Sequence, residues 1–407
     1  MLARLKPGTT PGNVAHVARV PNTTSGIATP VAHMPGTMCS MVNRTAGANG
    51  TLHRTMVDEP TKPRVRRPRY RGTHPRVFHE KYKEHDPERY AADVAKVMAS
   101  GKTPAGSHRP IMVREILERL QPRPGDFAVD ATLGYGGHAI ELLRAVSPGG
   151  RLLALDVDPL ELPKTEARLR AQDVAADAVL VRRSNFAGLV RILAQEGLPP
   201  ANVLLADLGL SSMQIDDPRR GFTFKHEGPL DLRMNPQRGQ PASALLASLD
   251  AARLARMLDE HADQPDASTL AAALVAWQRH TPIETTTELA DAIRQIASSS
   301  ARGRGQDDGA EQTIRRVFQA LRIAVNDELN ALDTFLRHLP DCVASGGRIA
   351  ILTFHSGEDR RVKQAFKAGL TSGQDVEISE AVELATAEER RSNPRATSAK
   401  LRWAIRR

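Results

Sequence analysis

Apolar and polar positions along this chain follow two regimes, a strand-and-helix alternation and a purely helical one. From Phe127 to Asp158, FAVDATLGYGGHAIELLRAVSPGGRLLALDVD predicts a short apolar strand, a glycine turn, a helix and a second buried strand that ends in acid. A helix at about 110–120 precedes this unit and is stopped by Pro122 and Pro124. Beyond it, the pattern predicts a charged helix at about 162–171, a strand at AVLVRR and a loop at Ser184, Asn185 and Phe186. Another helix follows, then the strand VLLAD ending at Asp207. Strands that are apolar throughout and separated by helices indicate a parallel sheet covered on both faces.

The regime changes after about residue 213. A Gly/Pro loop with acids and arginines leads into several short helices with Ser, Asp or Thr starts, and no strand interrupts them. TIRRVFQALRIAVNDELNALDTFLRHLPDCV then reads as a long amphipathic helix with at least one break. SGGRIAILTFHS returns to a buried strand, EDRRVKQAFKAGL to a helix, and KLRWAI in the basic tail to an edge strand. The expected organisation is an α/β core in two parts, 108–212 and 312–407, around an inserted helical subdomain at 213–311. A leader at 1–60 and a basic arm with a helix at 61–107 come first.

Composition sharpens the ends. Residues 1–57 contain no Asp or Glu and few large apolar residues, so they cannot bury a core and are expected to be disordered. They read either as an organellar transit peptide or as a mis-assigned start ahead of Met56. KPRVRRPRYR, Lys62–Arg71, carries six positive charges and a tyrosine, either an arm along phosphates or a solubilising tail. The net charge of +9 favours an anionic macromolecule, nucleic acid foremost. Two cysteines, Cys39 and Cys342, form neither a disulfide framework nor a metal cluster, and no apolar run is long enough to span a bilayer. A cytoplasmic protein without metal follows as the expectation.

The candidate chemistry gathers at the predicted strand ends. Gly134, Gly136 and Gly137 let the backbone approach a ligand at a helix N-terminus, and Asp156 at the next strand tip suits the two hydroxyls of a ribose. The ligand should therefore contain a nucleoside. The glycine pattern also fits a nicotinamide dinucleotide. Asp130 favours S-adenosylmethionine, because a carboxylate there suits the cationic methionine amino group and repels a pyrophosphate, although it could instead only cap the turn. Phe186 either stacks on an adenine or packs in the core. Asp207 ends a fourth strand, where open α/β sheets bind their ligands.

DATLGYGGH, LALDVDP, ADLGLSSMQID, RGFTFKHEGPLDLRMNP, RRVFQALRIAVNDELNAL, ILTFHSGEDRRVK and NPRATSAKLR occur in this order. Together they resemble the ribosomal RNA small-subunit methyltransferase H (MraW) family over about 108–407. The resemblance implies a Rossmann-like S-adenosylmethionine-dependent methyltransferase core with a helical insertion. The implied activity is methylation of a cytidine N4 amino group in 16S ribosomal RNA within the small subunit. It also implies cofactor contacts at Gly136, Gly137, His138, Asp156, Phe186, Asp207 and Gln214. Departures from the family pattern fall at Gln312–Arg316, at HADQPDAS and at Ser356–Asp359, in and near the insertion, and bear on the target more than on the cofactor.

Methyl transfer to a conjugated amine needs alignment and an acceptor for the amino hydrogen. Asp207 is the expected acceptor, with Ser211 and Ser212 as neighbouring hydrogen-bonding groups; the alternative is that Asp207 only holds the cofactor. His355 and Ser356 either face the pocket or are structural. The rival functions are a nicotinamide dehydrogenase, a divergent paralogue acting on another nucleic-acid amino group, and a non-enzymatic ribosome-assembly factor.

Overall fold

A computed structural model describes residues 110–407 apart from 176 and 301–306. The expected leader at 1–60 and the basic arm and helix at 61–107 lie outside the described residues.

The chain opens with α1 (Val113–Leu120), then alternates through β1 (Phe127–Asp130), α2 (Gly137–Val146), β2 (Arg151–Asp156), α3 (Leu162–Arg170) and β3 (Val179–Arg183). A 3-10 turn at Phe186–Gly188 leads through α4 (Leu189–Gln195) to β4 (Ala201–Asp207) and the short α5 (Ser212–Asp216). Next come the helices α6 (Ala242–Ser248), α7 (Ala251–Ala262), α8 (Ala267–His280), α9 (Thr286–Ser300), α10 (Asp307–Asn326) and α11 (Glu328–Cys342). The chain closes with β5 (Val343–Thr353), α12 (Ser356–Thr371), β6 (Asp375–Ile378), β7 (Glu383–Leu384), α13 (Ala387–Ser392) and β8 (Lys400–Arg406).

The strands form one sheet in the order β3-β2-β1-β4-β5-β8-β6, with β7 also on β8. Strands β1 to β5 pair in parallel, and β8 runs antiparallel to β5, β6 and β7. Alternate residues of each strand enter opposite faces. Ala128, Ala154 and Leu205 pack with α1 and α2 on one side, while Val129, Leu153 and Leu204 pack with α4, α11 and α12 on the other. Burial on both faces explains why the strands are apolar runs with acids only at their tips.

A third core is built mainly from helices α6 to α10, where Leu254, Leu258, Leu274, Ile293 and Leu321 are buried together with Leu230 and Leu232 of the preceding loop. Ile314, Val317, Phe318 and Leu321 of α10 belong to it. By packing, then, the return to the α/β layers comes at α11 and not at residue 312. The expected break in the long helix falls at Asp327, whose φ of 52° separates α10 from α11.

One strand corrects the sequence reading. KLRWAI is not an edge, because β8 is held between β5 and β6 and buries Leu401, Arg402, Trp403 and Ala404. Its basic flanks suggested exposure, but Arg402 is buried against Asp359, with Nε donating to Oδ1 at 2.6 Å. Among the described residues no helix is long and apolar enough to cross a membrane.

Leu143 is fully buried where α2 meets the sheet. Leu143→Ala is expected to lower unfolding free energy by about 2–5 kcal/mol, measured by urea denaturation.

Candidate nucleoside-binding and transfer site

The carboxyl ends of β1, β2 and β4 lie side by side, and the turn from β1 into α2 crosses them. Gly134 and Gly136 have φ of 49° and 83°, in the left-handed region. At Gly136 a side chain is excluded twice, since a Cβ would also lie 2.8 Å from Thr165 Cγ2. Asp156 fastens this turn from the tip of β2: Gly134 N donates to Oδ2 at 2.7 Å and Asp158 N to Oδ1 at 2.9 Å. Burial pushes the Asp156 carboxyl up to about 6, against the opposing pull of these backbone donors. Each oxygen keeps a further lone pair, so the carboxylate can still accept hydroxyl hydrogens.

His138, in the first turn of α2, is buried with both ring nitrogens beside acceptors. Nε2 lies 2.8 Å from Ile111 O, and Nδ1 lies 3.4 Å from Asp207 Oδ2. Two acceptors favour the doubly protonated ring. Burial opposes the charge, but Asp207, the Ile111 carbonyl and Asp130 outweigh it and raise the His138 pKa. Asp207 is further located by its own backbone, whose N–H donates to Thr132 Oγ1 at 2.6 Å. Its Oδ1 is buried and has no protein partner.

A cavity of about 380 Å³ runs along these strand ends. Gly134, Gly136, Gly137, His138, Asp156, Phe186, Asp207, Ser211 and Gln214 all line it, so the structure brings most of the expected site residues together. Phe186 lines the cavity, and its ring meets Phe335 edge-on at 5.3 Å. Ser211 is the N-cap of α5: its Oγ accepts from Gln214 N, and the Gln214 side chain accepts from Ser211 N. Ser212 opens that helix, and the expectation for its side chain lies outside the described residues.

Asp130 requires a correction. It is 1% exposed, does not line the cavity, and caps its own turn by accepting from Thr132 N at 3.0 Å. The expected contact with a methionine ammonium is replaced by a buried position behind His138, whose charge opposes the rise that burial imposes on Asp130. His355 does not line the cavity either. It stands at the N-cap of α12, with Nε2 3.1 Å from Glu358 Oε1 but not aligned as a hydrogen bond. Ser356 Oγ points away to Asp263 Oδ2.

Sequence reasoning missed the opposite wall. Arg322, Asn326, Glu328 and Glu358 line the cavity there. Arg322 donates from Nε and Nη2 to both Glu328 oxygens, at 2.8 and 2.9 Å. Burial disfavours the guanidinium charge, but Glu328 prevails and raises its pKa. Glu358 is held ionised despite burial by His355 and Arg322. Asn326 ties the wall to the insertion loop, donating to Leu232 O and accepting from Met234 N, both at 2.7 Å. The available signal was the polar run Asn326–Glu328 breaking an otherwise regular apolar repeat.

Under the cavity, Asp158 is fully buried. Its Oδ2 accepts from Arg220 Nη1 and from Gln214 Nε2, each at 2.8 Å, and Arg220 also donates to the carbonyls of Arg233 and Met234.

Burial raises the Asp130 carboxyl from 3.8 to about 6. The folded state therefore binds its proton more tightly than the unfolded chain. The stability this contributes is present below about pH 3.8 and is lost as pH rises through about 6. Asp130→Asn is expected to lose less stability than the parent between pH 4 and 7, compared by denaturant titration at each pH.

A model of the MraW methylase family matches residues 105–407. Ribosomal RNA small subunit methyltransferase H 2 of Alkaliphilus metalliredigens is 47% identical over 350 residues, which cover 86% of this chain and 99% of that protein. Ribosomal RNA small subunit methyltransferase H 1 of Lachnoclostridium phytofermentans is 48% identical over 341 residues, 84% of this chain and 92% of that protein. Ribosomal RNA small subunit methyltransferase H 1 of Agathobacter rectalis is 43% identical over 346 residues, 85% of this chain and 98% of that protein. With the strand-end acids, the glycine turn and the His138–Asp207 pair all inside the matched region, the chain belongs to the MraW methylase family.

Proposed function

We propose that this protein transfers a methyl group from S-adenosylmethionine to the N4 amino group of a cytidine in small-subunit ribosomal RNA. The observation that carries this reading is the buried, unpartnered Asp207 Oδ1 in a cavity that also contains the glycine turn and Asp156. A buried carboxylate oxygen without a donor is costly, and a ligand that brings an N–H to it removes that cost.

The residues suit the cofactor. Asp156 accepts the ribose hydroxyls, Phe186 offers an aromatic face to the adenine, and the glycine turn admits the backbone to close contact. Counting Asp130, Asp156 and Asp207 against His138 leaves the strand ends net negative, which favours a cationic ligand. When bound, S-adenosylmethionine supplies an electrophilic methyl group on a sulfonium.

The chain's own contribution is placement and proton handling. The cytosine N4 lone pair is delocalised into the ring, so holding the amine in line and away from water lowers the barrier more than any strong base would. The Asp207 carboxylate accepts the amino hydrogen, while His138, 3.4 Å from Oδ2, holds it at the strand end. Ser211 is engaged as a helix cap and shapes the wall. The partner is the assembled or partly assembled small subunit, whose structure can present the base splayed out, and the location is the cytoplasm.

Asp156→Ala is expected to weaken S-adenosylmethionine binding by about 2–4 kcal/mol in calorimetry, since each hydrogen bond to a charged group contributes roughly 1.5–3. Unchanged affinity would remove Asp156 from the site. Asp207→Asn should reduce turnover more than cofactor affinity, and equal losses would leave Asp207 a binding residue alone. The substrate is checked by mass spectrometry of ribosomal RNA nucleosides from a strain lacking the gene. Loss of N4-methylcytidine at one site is expected, and an unchanged nucleoside profile would move the target elsewhere.

A further inference from the structure

The cavity that the glycine turn lines also holds three ionisable groups that the methyl-transfer chemistry leaves unused: Arg322, Glu328 and Glu358. Arg322 and Glu328 meet at the break between α10 and α11, and Glu358 approaches Arg322 from the first turn of α12. The fork from Arg322 to Glu328 fixes the guanidinium with Nε and Nη2 consumed. Nη1 has no hydrogen-bond partner in the protein and is not sealed from the surface.

The charge around Nη1 decides what it can receive. Glu328 neutralises Arg322, and Glu358 adds a second carboxylate held ionised by its surroundings. A phosphate brought to Nη1 would face two negative groups for one positive, and Coulomb repulsion in a partly buried cleft disfavours it. A neutral carbonyl oxygen meets no such penalty and gains a charge-assisted hydrogen bond. The wall is therefore built for an uncharged heterocycle with an acceptor on its far side.

We propose that Arg322, fixed by Glu328, is the residue that selects the base, donating from Nη1 to the C2 carbonyl of the cytosine whose amine faces Asp207. This rests on the reading of the site as a cytidine N4-methyltransferase. Cytosine carries its amine and its C2 carbonyl at opposite ends of one edge, so Asp207 and Arg322 read the two ends. Adenine also has an amine but no such carbonyl, so it forgoes the charge-assisted hydrogen bond from Nη1. Uracil would turn a carbonyl toward Asp207, acceptor against acceptor.

The test compares two acceptors: small ribosomal subunits from a strain lacking the gene, rebuilt with either cytidine or 2-thiocytidine at the methylated position. Sulfur in place of the carbonyl oxygen is a weak hydrogen-bond acceptor. The parent enzyme is expected to lose about 10- to 100-fold in kcat/KM on the thio substrate, the range for one hydrogen bond to a charged donor. Arg322→Gln is expected to lose a similar factor on cytidine and to treat both substrates alike. Its S-adenosylmethionine affinity by calorimetry should stay within about twofold of the parent, because no cofactor group is assigned to it.

A thio effect that persists undiminished in Arg322→Gln overturns the assignment, as does parental activity of that variant on cytidine. If Arg322→Gln does not fold, Glu328→Gln provides the same comparison, with a reduced thio effect expected because the guanidinium is no longer held by a charged fork. An unreduced effect there overturns the proposal. Failure of the methyltransferase reading is distinguishable: the parent enzyme would then bind S-adenosylmethionine but leave both subunits unmethylated, and the base-selection proposal would fall with it.

Discussion

The buried ion pair between Asp158 and Arg220 is the interaction on which the geometry of the cavity depends. Asp158 follows β2 by two residues, and its backbone N–H helps to orient Asp156. Arg220 belongs to the insertion loop and grips the carbonyls of Arg233 and Met234, which places Met234 in the cavity wall. Gln214 joins the same carboxylate oxygen from α5. One carboxylate thus ties the β2 tip, the helix after β4 and the insertion loop into a single frame. Losing one member of a buried pair leaves an uncompensated charge, at a cost of about 3–5 kcal/mol, so the three segments hold position together or not at all.

That frame explains why the α/β part was legible and the opposite wall was not. Strands such as LLAL in β2 and VLLA in β4 are buried on both faces, so apolar runs betray them, and charge can appear only where they emerge. Asp156 and Asp207 emerge into the cavity. Asp130 looks the same in sequence but turns inward to cap its own loop, a distinction that depends on side-chain direction and not on position along the strand. Arg322 and Glu328 read as ordinary charges on an amphipathic helix. Only the break at Asp327 folds them together.

The same reasoning applies to β8. A run with a lysine and two arginines suggests a sheet edge, where charge protects against association. The structure places it inside because Asp359, in the first turn of α12, supplies a partner for Arg402, and Asp375 one for Arg406. Partners more than thirty residues away in the chain decide whether a charged strand is exposed, and no local pattern carries that information. The boundary near residue 312 has a similar cause. The apolar face of α10 is continuous with that of the following helix in sequence, yet it packs on α7 and α9 and not on the sheet.

The site also carries an electrostatic tension that links its stability to its function. Asp130 and Asp156 are pushed up to about 6 mainly because burial disfavours their charge, and His138 partly offsets this for Asp130. At neutral pH both carboxylates are ionised in a poorly solvated place, which costs the folded state stability. A cation in the adjoining cavity, which Asp156 lines, lowers that cost. A neutral nucleoside does not. The arrangement therefore discriminates by charge before any shape is read: a sulfonium-bearing ligand is favoured over its uncharged demethylated product at the sulfur.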